Sequence, residues 1–152
     1  MRPSAALDCP DYIDTDPPPG DFEVVAGVVA LPTSPGHVAL QASEGGSGAP
    51  ERLFAKTGLL VRAGATFEVV VPTAVADRMA VVWGGAGTPT RRLTVNACHA
   101  SGGSGAEWLA YPGGYLVDDV MCAPLDVVVQ GRPHRVLLGI GHACPGQAAP
   151  PR

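Results

Sequence analysis

The chain has 152 residues, 46% of them hydrophobic and 16% charged, with a net charge of −4 and one lysine, Lys56. That length suits a single domain able to bury a core, and the composition excludes a disordered chain. An acidic balance with no basic cluster excludes the positive footprint that nucleic-acid binding needs.

The 20 glycines and 16 prolines, with valine leading the apolar set, point to an all-β domain with many turns. Met1–Asp21 is proline-rich and acidic and reads as an extended arm. Its aspartates, Asp8, Asp11, Asp14, Asp16 and Asp21, lack the glycine and distal glutamate of a calcium-binding EF-hand loop. Phe22–Leu31 reads as one central strand and Val38–Ala42 as a short second one. Arg52–Arg62 and Thr66–Val71 hold two or three strands around a turn at Ala63-Gly64-Ala65, with Phe67, Val69 and Val71 on one face. Pro72–Asp77 is long enough for one helical turn. Met79–Trp83 and Arg91–Ala97 follow, with Met79, Val81, Trp83, Leu93, Val95 and Ala97 turned inward. Glu44–Pro50, Gly84–Pro89 and His99–Ala106 read as loops.

Two hairpins are expected after Ala106. In the first, Glu107–Tyr111 and Tyr115–Asp119 flank Pro112-Gly113-Gly114, so that Tyr111 faces Tyr115 and Leu109 faces Val117. In the second, Leu125–Val129 turns at Gln130-Gly131-Arg132-Pro133 and returns as Arg135–Ile140. The alternation of Leu125, Val127 and Val129, and of Val136, Leu138 and Ile140, has the period of two that one buried face demands. About nine short strands at this spacing predict an immunoglobulin-like antiparallel β-sandwich over residues 22–144, with an arm at 1–21 and a flexible tail at 145–152. Phe67, Val69, Val81, Trp83, Leu93, Val95, Leu125, Val127, Val136 and Leu138 are the expected core.

Cys9, Cys98, Cys122 and Cys144 admit three pairings. Cys98 and Cys122 flank the first expected hairpin, and Cys9 and Cys144 lie near the termini, so Cys98–Cys122 with Cys9–Cys144 is the preferred set. A metal could instead draw on Cys98, His99, Cys122, His142 and Cys144, but the closely spaced CxxC ligands of a zinc site are missing. No metal and no cofactor is therefore expected. Gly45-Gly46-Ser47-Gly48-Ala49 and Gly102-Gly103-Ser104-Gly105-Ala106 approach the nucleophile elbow of hydrolases. Both lack its last glycine and the helix that should follow. Gly84-Gly85-Ala86-Gly87 lacks the lysine of a phosphate loop. His37 and His134 read as solvated loop residues. Trp108, Tyr111 and Tyr115 would form a binding surface if they were exposed together.

No apolar run reaches the ~18 residues that cross a bilayer. The first ten residues carry no apolar signal-peptide core, whereas four cysteines in a lysine-poor β chain suit an oxidising compartment. The expectation that joins these facts is an export signal upstream of Met1. KTGLLVRAGATFEVVVP, VVWG, WLAYPGGYLV, CAPLDVVV and GIGHAC, spread from Lys56 to Cys144, resemble uncharacterised exported actinobacterial proteins. The resemblance implies a small β-sandwich behind a signal or membrane anchor and carries no catalytic residues. Together these readings favour a non-catalytic binding or structural module of the cell envelope or extracellular space. It would have an envelope or protein partner, and would meet the membrane only through an upstream anchor. A small hydrolase built on Ser104 and His99, or on a metal, is the alternative.

Overall fold

Two long segments, residues 53–62 and 108–117, run antiparallel in one unbroken register at the centre of the protein. The computed structural model describes residues 5–7, 17–33, 36–44, 53–83, 89–97 and 108–150. Its strands, in chain order, are β1 (Ala5–Leu7), β2 (Glu23–Val25), β3 (Val29–Leu31), β4 (Ser43–Glu44), β5 (Leu53–Lys56), β6 (Leu59–Arg62), β7 (Thr66–Val70), β8 (Met79–Trp83), β9 (Arg92–Asn96), β10 (Trp108–Tyr111), β11 (Gly113–Val117), β12 (Met121–Val129) and β13 (Arg132–Ile140). They form sheets of order β1-β9-β7-β12-β13, β10-β6-β3-β2 and β4-β5-β11-β8. Every strand pair is antiparallel except β1 with β9.

The two four-stranded sheets are halves of one bent sheet. Trp108 lies opposite Arg62 and Tyr111 opposite Leu59; beyond the bend Gly114 lies opposite Lys56 and Val117 opposite Leu53. The Thr57 N–H donates to the Gly113 carbonyl at 3.0 Å and carries the ladder across. A second corner joins β8 to the approach of β9, where Val81 and Thr90 exchange both backbone hydrogen bonds at 2.8 and 2.9 Å.

The chain is all-β and its antiparallel sheets enclose one core, the arrangement of a β-sandwich. All ten expected core residues are buried, from 0% exposure at Val69, Val81, Val95, Leu125, Val127 and Leu138 to 8% at Val136. Side chains from all three sheets meet in a single apolar cluster. Each fully buried Val, Leu or Phe there contributes about 1.5–3 kcal/mol. The expected helical turn is present as a single 3-10 turn at Thr73–Val75.

Four local expectations are corrected. Pro112-Gly113-Gly114 does not close a hairpin: β10 and β11 are consecutive parts of one bent strand. The glycines serve close approach. A Cβ on Gly113 would strike the Val82 carbonyl and Trp83, and one on Gly114 the Ala55 carbonyl. Phe22–Leu31 is a hairpin, β2 against β3, reversed at Ala26 and Gly27 with φ of +51° and +73°. Val38–Ala42 forms no strand; Leu40 alone makes a bridge, parallel to Ile140. Within the expected arm, Ala5–Leu7 pairs with β9 and Leu7 is fully buried. The second expected hairpin is present, with a tighter turn at Gln130-Gly131.

Candidate functional site

The segment after His37 changes sheets. Leu40 attaches to the edge of β13, donating to the Gly139 carbonyl at 2.8 Å and accepting from the Gly141 N–H at 2.7 Å. Three residues on, Ser43 lies opposite Phe54 at the edge of β5. The crossing leaves an open groove of about 430 Å³ beside it, whose lining includes His37, Leu40, Gln41, Ser43, Phe54 and Lys56. Phe54 and Lys56 are two residues apart on β5 and so share one face. The groove thus brings together an aromatic ring, a hydroxyl and the ammonium of the single lysine. Among the described residues no carboxylate forms an ion pair with Lys56.

His37, expected in a solvated turn, is the best-held side chain of this rim. Its Nδ1–H donates to the Val38 carbonyl at 2.6 Å, and its Nε2 lies 3.4 Å from Asp21 Oδ2. Phe22 meets the ring edge-on, centroids 5.3 Å apart and planes at 81°. The Gln147 Nε2–H donates to the His37 carbonyl at 2.6 Å. Both ring nitrogens thus face oxygen atoms, which fixes the orientation of the ring at the rim. Pro35-Gly36 marks a turn in the sequence, but Asp21 and Gln147 reach His37 only through the tertiary fold, so no local motif announces it.

The cysteines pair differently from the expected set. Cys122 is bonded to Cys144, with Cα atoms 4.9 Å apart. The expected partner of Cys122 was Cys98, across a hairpin that does not form. In the fold, Cys122 lies opposite Gly139 in the β12–β13 ladder, and the chain reverses at Gly141, φ +67°, which returns Cys144 to it. With those two sulfurs bonded to each other, neither is available as a metal-binding thiolate. His142 is exposed beside them. Cys9, Cys98, His99, Ser47 and Ser104 lie outside the described residues.

Trp108, Tyr111 and Tyr115 are not an exposed platform. Both tyrosines are completely buried and Trp108 is 8% exposed. The Trp108 ring packs with Ala30, Leu60 and Phe22 on the far side of the β10-β6-β3-β2 sheet, and the Arg62 guanidinium sits 4.7 Å from its centroid. Tyr115 lies against Trp83 instead, and burial raises its phenol far above the ordinary tyrosine pKa. The exposure on which a binding surface at these three depended is therefore absent: in a single bent strand Tyr111 and Tyr115 both face the core.

The C-terminal residues expected as a free tail are tied down at Gln147 and Ala148: Ala148 accepts from the Ala39 N–H at 3.0 Å, and Gln147 hydrogen-bonds Cys144 and His37. No helix among the described residues is long and apolar enough to cross a membrane. No protein-family model, curated protein or solved structure matches the chain.

Proposed function

We propose that this protein is a non-catalytic binding or structural module of the cell envelope or extracellular space, with the His37–Lys56 groove as its working surface. The observation that carries the reading is the Cys122–Cys144 disulfide, a bond that persists in oxidising compartments. The groove supports the binding half: its one histidine is held on the rim, while Lys56, Phe54 and Ser43 line open space. The likeness to exported actinobacterial β-sandwich proteins fits the same location, and an immunoglobulin-like module is a common form for such a role.

The test uses oxidised protein and two assays. One measures retention on cell-wall polysaccharide and on whole envelope fractions; the other measures turnover of ester, phosphate and glycoside substrates. Expected are retention that falls in Phe54→Ala and Lys56→Gln, and no turnover. Turnover abolished in folded His99→Ala or Ser104→Ala protein would replace this reading with the hydrolase. Retention that ignores both groove substitutions would remove the groove from it.

A further inference from the structure

The chain beyond β13 forms a strap that ends at the rim of the groove. After the reversal at Gly141, Cys144 is bonded to Cys122 on β12. A tight turn follows, in which the Gln147 N–H donates to the Cys144 carbonyl at 2.9 Å and the Cys144 N–H to Gln147 Oε1 at 3.0 Å. The same Gln147 amide uses its nitrogen on the His37 carbonyl, 110 residues away in sequence. One residue later Ala148 accepts from the Ala39 N–H. The strap lies so close to β13 that a Cβ on Gly139 would collide with Gln147 Oε1. An amide whose two ends are both used has one position, and the disulfide supplies the fixed end.

We infer that the Cys122–Cys144 bond acts through Gln147 as a redox-sensitive latch, holding the His37–Leu40 rim of the groove in place when oxidised and releasing it when reduced. The reductant is a dithiol. Its thiolate attacks one sulfur of the pair, the mixed disulfide resolves on its second thiol, and the products are a reductant disulfide and two protein thiols. Two electrons and two protons pass to Cys122 and Cys144. Once Cys144 is no longer bonded to β12, the turn that orients Gln147 has no covalent anchor, and the rim is left with its contacts to Thr33, Phe22, Asp21 and the β13 edge. The consequence for binding rests on the groove being the working surface; the latch itself is tested without a ligand.

Amide hydrogen exchange of the full chain reads the rim directly, through the Ala39 and Leu40 N–H groups, while Val81 and Thr57 report on the sheet corners. Dithiol treatment and Cys122→Ser/Cys144→Ser remove the bond; Gln147→Leu keeps it and cuts the link. In each case Ala39 and Leu40 should exchange about tenfold faster or more, with Val81 and Thr57 changing by less than about twofold. Equal acceleration at all four sites would make the bond a general stabiliser and overturn the latch. So would an oxidised Gln147→Leu protein with an unchanged rim, or an unchanged rim after reduction. If the double cysteine variant does not fold, Gln147→Leu in the oxidised protein decides alone, since it removes the amide while leaving the disulfide intact.

Discussion

Trp83 and Tyr115 meet edge to face, with ring centroids 5.0 Å apart and planes at 86°. The two polar ends fare differently. The Trp83 Nε1–H donates to the Thr57 carbonyl at 3.0 Å, whereas the buried Tyr115 hydroxyl has no hydrogen-bond partner among the described residues. The contact sits beside the bend, since Trp83 lies opposite Gly113, the first residue of β11, and Tyr115 follows two residues along that strand, opposite Ala55.

Tyr115→Phe keeps the ring contact and removes the orphan hydroxyl. A buried polar group without a partner costs about 1–3 kcal/mol. The variant is therefore expected to match the parent or exceed it by roughly 1 kcal/mol in urea unfolding, since only the penalty is lost. A loss of stability would show that the hydroxyl has a partner.

The same burial sets a pH dependence. Desolvation raises the Tyr115 phenol in the folded state, so the proton is held more tightly folded than unfolded. The stability this contributes is fully present below the unfolded phenol value of about 10 and is lost as pH rises above it, at up to about 1.4 kcal/mol per pH unit. Unfolding curves between neutral pH and pH 11 should show a steeper alkaline decline for the parent than for Tyr115→Phe. Parallel curves would mean that the phenol ionises freely in the fold.

Gly114→Ala should be severely destabilising. Its Cβ would be driven into the Ala55 carbonyl of the adjacent strand, and backbone cannot move aside as a flexible side chain can. A cost of about 2–4 kcal/mol is expected from such overpacking. Gly20, where a Cβ meets nothing within 4 Å, is the control, and its alanine variant should unfold at the parental midpoint. Equal midpoints for both variants would contradict the tight register at the bend.

Gln130 occupies the left-handed region, φ +51°, at the first position of the β12–β13 turn, followed by Gly131 at +77°. Asparagine tolerates that conformation better than glutamine, and Asn-Gly is the preferred pair for such a turn. Gln130→Asn should raise stability by about 0.5 kcal/mol, read as a higher urea midpoint with an unchanged slope. A lower midpoint would mean that the glutamine side chain makes a contact worth more than the backbone strain.

The remaining cysteines should pair with each other. Cys122 and Cys144 are joined, which leaves Cys9 and Cys98. β1 and β9 run parallel with Leu7 opposite Val95, and the two cysteines follow that pair in the sequence by two and three residues. Non-reducing peptide mapping should recover a Cys9–Cys98 cross-link and no free thiol. Alkylation of either cysteine in unreduced protein would refute it.

The fold class and the core were legible in the sequence because both rest on local pattern. Strict alternation in Phe67–Val71, Met79–Trp83, Leu93–Ala97 and Leu125–Ile140 states which face is apolar, and burial follows wherever the partner sheet lies. What alternation cannot state is the partner. Pro112-Gly113-Gly114 has the composition of a turn, yet it lies in a continuous strand because β5 and β8 press against it from both sides. That requirement comes from residues 30 to 60 positions away. The disulfide partner of Cys122 was misread for the same reason.

The groove was still less visible. His37 looks like any turn residue until Asp21, Phe22 and Gln147 converge on it, and Gln147 looks like part of a tail. Sequence alone determined that this chain is all-β, which side chains fill its core, and that its last two strands form a hairpin, because those depend on period and turn chemistry within a few residues. Only the tertiary structure decided that two sheets are one bent sheet, that Cys122 bonds Cys144, and that the C-terminal strap meets His37. Those contacts join distant segments, and their energy comes from backbone hydrogen bonds and close packing that leave no local pattern in the chain.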